Sequence, residues 1–559
     1  MERNAIIAAL LCLLVLLGYQ AAIDYLYPPA PVPVGQVTDR SPASPVPPPG
    51  LLDPGAAPGL AEAPDSVAAA APHVPGKEIS IDTDLFSVRI SSNGGRILSF
   101  RLKDFLESVG PESEFLEMIS LAQGSVPPLG VRFQTNDGTV LDDTTVVYSA
   151  DRDAVQVTGE QEATLTLSGE LATGVRIEKL LRVRGDAYPI EVTVRAPDLS
   201  ASFLRVGLGW RHAIEGEQPT QEARYRGGMV MTGKDFEHEL TTTLTEEPPM
   251  PFASPVTWAG YTEHYFMAAL VPEDPAEARA VIAGARSNGV EVLVTSPRAE
   301  PEGARFTVYV GPKETNILRD IGHDLDRGVD FGWFSVLAIP LIRLLNLFHR
   351  GTGNYGIDII LLTILVKVLF IPLTNKSMQS MRAMQKLQPE MTKMREKYKD
   401  DREALNKEMI ELYKRHKVNP LGGCLPMLLQ FPVFIGLYQG LYGAIELRHA
   451  SFALWVSDLS TNECYPWPGQ TTLIGCNDLS IMGFPIPLLV LFMGGSMILQ
   501  QWLTPATGMD PTQQRMMMIL MPVMFTVMFV TFPSGLVLYW LVNNLLTIAQ
   551  QGYTNRATA

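Results

Sequence analysis

Cysteine is scarce, with four residues in a chain of 559, which excludes a disulfide-stapled scaffold. Charged residues make up only 18%, against 46% apolar. The first figure lies below the ~25% usual for soluble proteins, and the two together exclude a disordered chain. Basic residues are outnumbered, 44 Lys and Arg against 59 Asp and Glu, for a net charge of −15. A general nucleic-acid binder is excluded on that ground. No GxxxxGK[ST] loop occurs, so ATP is not expected to take part. His212, Glu263 and His264 are scattered, without paired-carboxylate or metal-ligand spacing around them. They read as structural residues rather than a hydrolase or sugar-binding cleft, so no enzyme, metal or cofactor is expected.

What the chain does have is long apolar runs. A bilayer core of ~30 Å asks for about 20 apolar residues in a helix. Residues 5–23 (AIIAALLCLLVLLGYQAAI) meet that length and read as a retained anchor rather than a cleaved signal. Further runs cover 355–373, 424–444 and 484–503. The stretch 519–551 holds 33 residues, about 50 Å as one helix and too long for a single span. Phe532-Pro533-Ser534-Gly535 interrupts it as a turn. It therefore divides into 519–531 and 535–551, the first short enough to tilt its neighbours or thin the bilayer. Six transmembrane helices are expected.

Charge is segregated along the chain. Residues 375–417 carry 12 Lys and Arg against 7 Asp and Glu, so this loop should lie in the cytoplasm. Both termini then fall inside, and 24–351 and 445–483 fall outside. Cys12 and Cys424 lie in or beside spans, where cysteine behaves as a small hydrophobe. Cys464 and Cys476 share the short external loop, and a disulfide between them is expected in an oxidising compartment.

Between the first span and the core, residues 27–76 contain 14 prolines, a semi-rigid spacer. From 77 to about 312 the pattern alternates: ISIDTDLFSVRISS, RILSFRL, TLTLSGEL, VRIEKLLRVR, IEVTVRA, VEVLVTS and RFTVYVG. Period-2 runs punctuated by Gly, Asn, Asp and Pro predict many antiparallel strands in a sandwich. FGWFSVLAIPLIRLLNLFH (331–349) matches a span in length, but Pro340 should break it, and a seventh span would put the basic loop outside. It reads as an interfacial amphipathic helix with Trp333 and Phe334 at headgroup level. The basic loop reads as two helices around Lys399-Asp400-Asp401. Apolar stripes run through Met381, Met384, Leu387, Met391, Met394 and Tyr398, then Leu405, Met409, Leu412 and His416, predicting an antiparallel coiled pair. Its Lys386, Lys393, Arg395, Lys397 and Lys399 are candidates for contact with a ribosome, a receptor or lipid headgroups. The resulting domains are an anchor (1–23), a linker (24–76), a β domain (77–325), an interfacial helix (326–350), a helical core (351–551) that includes the basic hairpin, and a short tail (552–559).

NPLGGCLP (419–426) with Gln430 and Phe431-Pro432 resembles the third span of the YidC/Oxa family of membrane protein insertases. VYVGPK (308–313), DFGWF (330–334), LQPEM (387–391) and FPSGLVLYW (532–540) are similar to family segments too. WAGYTEHYF (258–266) resembles the large periplasmic domain of the Gram-negative branch. The resemblance implies a periplasmic β-supersandwich and a five-helix core. It also implies a hydrophilic groove open to the cytoplasm and lipid, along which nascent inner-membrane proteins pass, alone or beside the Sec translocon. Ribosome contact in the family often uses a basic tail. Here the tail is GYTNRATA, which leaves the basic hairpin and the 504–518 loop for that role.

Lys367 is the most informative intramembrane residue. A lysine at a span centre costs ~2.5–3.5 kcal/mol, so it calls for a function or for snorkelling to the nearby cytoplasmic end. The resemblance implies that it is the groove cation, with lysine where the family usually has arginine. The charge is kept and the planar fork is lost. Thr363 lies one turn away on the same face. Gln430, Gln500, Asn543 and Asn544 add polar groups, each of which alone would be interhelical glue. Trp540, beside Tyr539, stands where the family often has tyrosine and is expected to touch a passing client helix. Met521, Met524 and Met528 form a stripe suited either to varied apolar clients or to helix packing. A transporter is the main rival, but the inverted repeats it would usually carry are not evident.

Overall fold

The structure is a computed structural model. It describes residues 76–556 except 110–112, 122–125, 136–137, 198–202, 214–224, 286–288, 298–302, 330–333, 399–400, 417, 419–424, 464–479, 482–483, 486 and 504–510. The expected first span, the proline-rich linker, Lys399, Cys464 and Cys476 lie outside the described residues.

Each alternating run quoted above forms a strand. Three sheets result, of five, nine and six strands. The nine-stranded sheet places Trp258–Thr262, Phe266–Pro272 and Ala304–Pro312 side by side at its middle, all antiparallel. Alternation sends one face of each strand inward. In Arg176–Arg184, for example, Ile177, Leu181 and Val183 are buried while Arg182 and Arg184 are exposed. Pairing is antiparallel except where Glu78–Asp82 runs parallel to Ala154–Gln156. A single apolar cluster spans the sheets, with Phe86, Phe100, Phe133, Trp210, Trp258 and Tyr309 fully buried.

A buried ion pair enters this core. Lys179 is fully buried and donates to the carbonyls of Gly94 (2.8 Å) and Leu129 (3.0 Å), with Asp143 Oδ2 at 2.5 Å. Arg96 and Tyr148 also donate to Asp143. A buried ion pair persists when its remaining protons and lone pairs are satisfied, as here. Burial lowers the Lys179 ammonium to about 8, against the opposing pull of Asp143.

Two short helices, α1 (Thr241–Glu246) and α2 (Thr315–Ile321), belong to this β-rich part. The helical part follows: α3 (Ser335–Thr352), α4 (Tyr355–Lys386), α5 (Gln388–Lys397), α6 (Arg402–Arg415), α7 (Leu425–Gly443), α8 (Leu488–Leu503), α9 (Pro511–Phe529) and α10 (Ser534–Arg556). Among the described residues, α4 is long and apolar enough to cross a membrane; Leu488–Leu503 and Met518–Phe529 are shorter apolar helices.

Three expectations need correction. Pro340 sits inside α3 without breaking it. It removes one hydrogen bond near the helix start, and burial of Ala338, Ile342 and Leu345 outweighs that loss. The helix that holds the first core run does not stop at 373, because α4 runs on to Lys386 with Pro372 inside it. The basic loop therefore begins as a continuation of α4, with α5 and α6 as the antiparallel pair. Leu387, Met391 and Leu412 form the centre of their seam, flanked by Met394, Met409 and Tyr413. The fifth predicted span belongs to a longer helix, since α9 starts at Pro511. Its 19 residues reach about 28 Å, although its apolar part remains short.

Candidate functional site

Helices α4 and α10 are fixed at one end before they meet at the other. Asn354 caps α4, its side chain accepting from Gly356 N (3.0 Å) and Ile357 N (3.2 Å), as short polar side chains do at a helix start. Beside it, buried Asp358 accepts from His349 Nδ1 (2.9 Å) and Thr352 Oγ1 (2.5 Å). Ser534, the first residue of α10, donates through N (2.8 Å) and Oγ (2.9 Å) to the Thr461 carbonyl. Glu463 caps α8 from a distance in sequence, accepting from Leu489 N (2.9 Å) and from Trp455 Nε1 (2.5 Å). Burial pushes the Glu463 carboxyl up, against the pull of these donors.

From this end inward the helices are joined by apolar packing. Ile359 and Leu362 of α4, Leu437 and Leu441 of α7, and Leu536 and Val537 of α10 share one buried cluster. Beyond it the seam turns polar. Lys367 and Thr374 are seven residues apart on α4, and Asn543, Thr547 and Gln550 follow at spacings of four and three on α10, so each set shares a helix face. Lys367 Nζ donates to Thr547 Oγ1 (2.6 Å) and Asn543 Oδ1 (3.4 Å). Gln550 Nε2 donates to Thr374 Oγ1 and Asn375 Oδ1, both at 2.9 Å. Between the two helices and α7 lies a small open cleft, lined by Val366, Lys367, Phe370, Leu373, Thr374, Gln430 and Asn543. No carboxylate pairs with Lys367 among the described residues.

Of the residues singled out from sequence, Lys367, Gln430 and Asn543 meet in this cleft. Thr363 does not line it. It is 1% exposed and donates to its own Ile359 carbonyl at 2.6 Å, the usual fate of a threonine inside a helix. Asn544 points the other way and donates to Ser496 of α8 at 3.0 Å, joining two helices. Tyr539 is buried and accepts from Gln430 Nε2 at 3.5 Å. Trp540 stands in an aromatic cluster rather than in the cleft, edge-on to Phe434 at 4.9 Å and near Phe529 at 5.3 Å. Met524 and Met528 lie on the exposed side of α9 with Val523 and Val527, while Met521 is half-buried near Gln501. On the basic segment Lys386, Lys393 and Lys397 are exposed and Arg395 is half-buried. Sequence reasoning missed Thr547, Thr374 and Gln550. The signal available was their spacing, one turn (Thr547) or two turns (Thr374, Gln550) from residues already chosen.

The C-terminal end of α7 also holds the β domain. His264 Nε2 donates to the Tyr442 carbonyl of α7 at 2.8 Å, and its ring stacks on Tyr225 and Tyr265. Ile445, just past α7, is buried in the apolar core of the β domain. Arg448 lies over the Phe266 ring. Within the sheet, Glu263 accepts from Tyr261 Oη (3.0 Å) and pairs with His212 (3.2 Å). Burial pushes its carboxyl up, yet His212, Arg226 and the Tyr261 hydroxyl outweigh that and hold it at about 2. Two of the three residues judged structural from sequence, His212 and Glu263, thus pair with each other.

The chain was compared with known proteins. Residues 347–559 match the family described as 60Kd inner membrane protein, and residues 78–344 match the YidC periplasmic domain. The membrane protein insertase YidC of Syntrophus aciditrophicus is 37% identical over 573 aligned residues, covering 100% of both chains. That of Geobacter sulfurreducens is 37% identical over 563, covering 100% of this chain and 99% of its own. A solved active YidC insertase, with its first transmembrane domain resolved, aligns with 85% of this chain and 92% of its own at 19% identity and a TM-score of 0.37. The two family matches abut in chain order and the relatives align from end to end, so the chain belongs to the YidC family of membrane protein insertases.

Proposed function

We propose that the protein passes newly made inner-membrane proteins into the bilayer through the Lys367 cleft, without catalysing a covalent reaction. The observation that carries this reading is the ammonium of Lys367, held by two neutral acceptors in a cleft where no carboxylate among the described residues neutralises it. A polar segment crossing hydrocarbon loses water from its backbone and charges, which is the main barrier. A cleft reaching part way into the membrane shortens the dry path. Its cation draws in an acidic segment of the client, while the apolar cluster beyond it closes the outer side. The client's apolar segment then partitions into lipid, and that burial drives the process.

In this reading the chain spans the membrane six times, through residues 5–23, α4 and α7 to α10, with both termini in the cytoplasm and the β domain in the periplasm. The basic α5–α6 pair then faces the cytoplasm, where Lys386, Lys393 and Lys397 meet anionic headgroups or the ribosome. Helix α3 lies along the outer interface, with Val336 and Leu347 exposed for lipid. The Sec translocon is a partner for clients with larger exported domains. Met524 and Met528 on α9 offer adaptable contacts to a departing client helix.

Photocrosslinking tests the path. A crosslinker at Gln430 or Thr374 should form adducts with ribosome-bound nascent chains of a small membrane protein. One at Ile498, exposed on the far helix α8, should not. Equal adducts at all three positions would sink the assignment.

A further inference from the structure

Thr547 lies one helical turn beyond Asn543 on α10, and its hydroxyl makes two bonds of opposite sense. Oγ1 donates to the Asn543 carbonyl at 2.7 Å and accepts from Lys367 Nζ at 2.6 Å. A hydroxyl has one proton. With that proton committed to the carbonyl, only lone pairs remain for the ammonium, so the group is a fixed acceptor. Branching at Cβ restricts χ1 in a helix, and the oxygen cannot swing away without losing its carbonyl bond. Asn543 Oδ1 adds a second, longer contact at 3.4 Å from the same helix.

An ammonium carries three protons. Two acceptors on α10 hold Lys367 from one side and leave the third proton toward the cleft, which Val366, Phe370 and Gln430 line. This matters because lysine is a compact charge on a flexible stem. Left unheld, Lys367 would reach toward the inner headgroup level, six residues or about 9 Å along the helix from Leu373. Neutral acceptors position the charge without cancelling it, as a carboxylate would.

We propose that Thr547, supported by Asn543, is a positioning residue that keeps the Lys367 ammonium in the cleft and so sets how strongly acidic client segments are drawn in. This rests on the reading of the cleft given above.

The test uses the full chain reconstituted in liposomes and two clients. Each client is a single-span protein whose translocated tail carries either two aspartates or two asparagines at the same positions. The readout is the ratio of protease-protected tail between the acidic and neutral twins, relative to the wild-type ratio. Thr547→Val should lower that ratio about tenfold or more, the size expected for one hydrogen bond to a charged group. Thr547→Ser, which keeps the hydroxyl, should restore it. Lys367→Gln is run beside them and should lower the ratio at least as far. The proposal is overturned if Thr547→Val leaves the ratio at the wild-type value while Lys367→Gln lowers it, and the cleft reading then stands alone. It is also overturned if Thr547→Val depresses both clients in parallel, which is a packing effect, or if Thr547→Ser is as poor as Thr547→Val. An unaltered ratio in Lys367→Gln overturns the cleft reading and this inference together.

Discussion

His264 of the β domain donates its Nε2 proton to the main-chain carbonyl of Tyr442 at 2.8 Å, at the C-terminal end of the helix that carries Gln430 into the cleft. The contact is the centre of a larger seam. The rings of Tyr225, Tyr265 and Tyr442 surround His264, and the stack continues through Tyr438 to Phe532 in the turn before α10. The sheet therefore grips α7, and the ring stack carries that contact on to the turn before α10.

Removing this grip should loosen both partners at once. His264→Ala loses one hydrogen bond and three ring contacts, together about 2–4 kcal/mol. Amide exchange should rise about tenfold or more in residues 258–266 and also in 438–448. Faster exchange in the sheet alone would show that the seam does not couple the two parts.

The cap on α8 should be worth measuring by heat. Glu463→Ala leaves Leu489 N and Val490 N without their carboxylate acceptor. The loss of such a cap costs about 1–2 kcal/mol, which should lower the thermal midpoint of the detergent-purified chain by about 3 °C. Glu463→Gln keeps an acceptor oxygen and should recover part of it. A midpoint unmoved by Glu463→Ala would remove the carboxylate from any role in holding α8.

Acid should release the Glu263 cluster. The carboxyl stands at about 2 in the folded protein, against 4.5 ordinarily, so the folded state binds fewer protons than the unfolded one between those values. The stabilisation is complete above pH 4.5 and fades as pH falls toward 2. Glu263→Gln cannot titrate, so its stability should depend less steeply on pH across that window. Matching slopes for the two proteins would place the acid-sensitive group elsewhere.

Much of the β domain was legible because a strand writes its buried face into every second residue, and the runs quoted from sequence are strands in the structure. The apolar helices were legible for a related reason, since hydrocarbon burial demands length and composition that no loop supplies. Helix limits were less so. Pro340 reads as a break, but it costs only one backbone bond, and packing along α3 outweighs that cost. Lys367 stood out because a lone charge in an apolar run has few innocent explanations.

Which polar residues join Lys367 could not be read the same way. Thr363 and Thr547 are alike in chemistry, and both lie one turn from a residue already chosen. Thr363 turns its hydroxyl into its own helix, while Thr547 receives the ammonium. Asn543 and Asn544 are adjacent, yet a rotation of 100° per residue sends one to the cleft and the other to Ser496. Composition and periodicity by themselves determined that this protein has a β-sandwich joined to apolar helices with one displaced cation. Tertiary structure alone decided which neighbours hold that cation, because a side chain's partner depends on which helix faces it across the seam, and spacing within one helix carries no information about that.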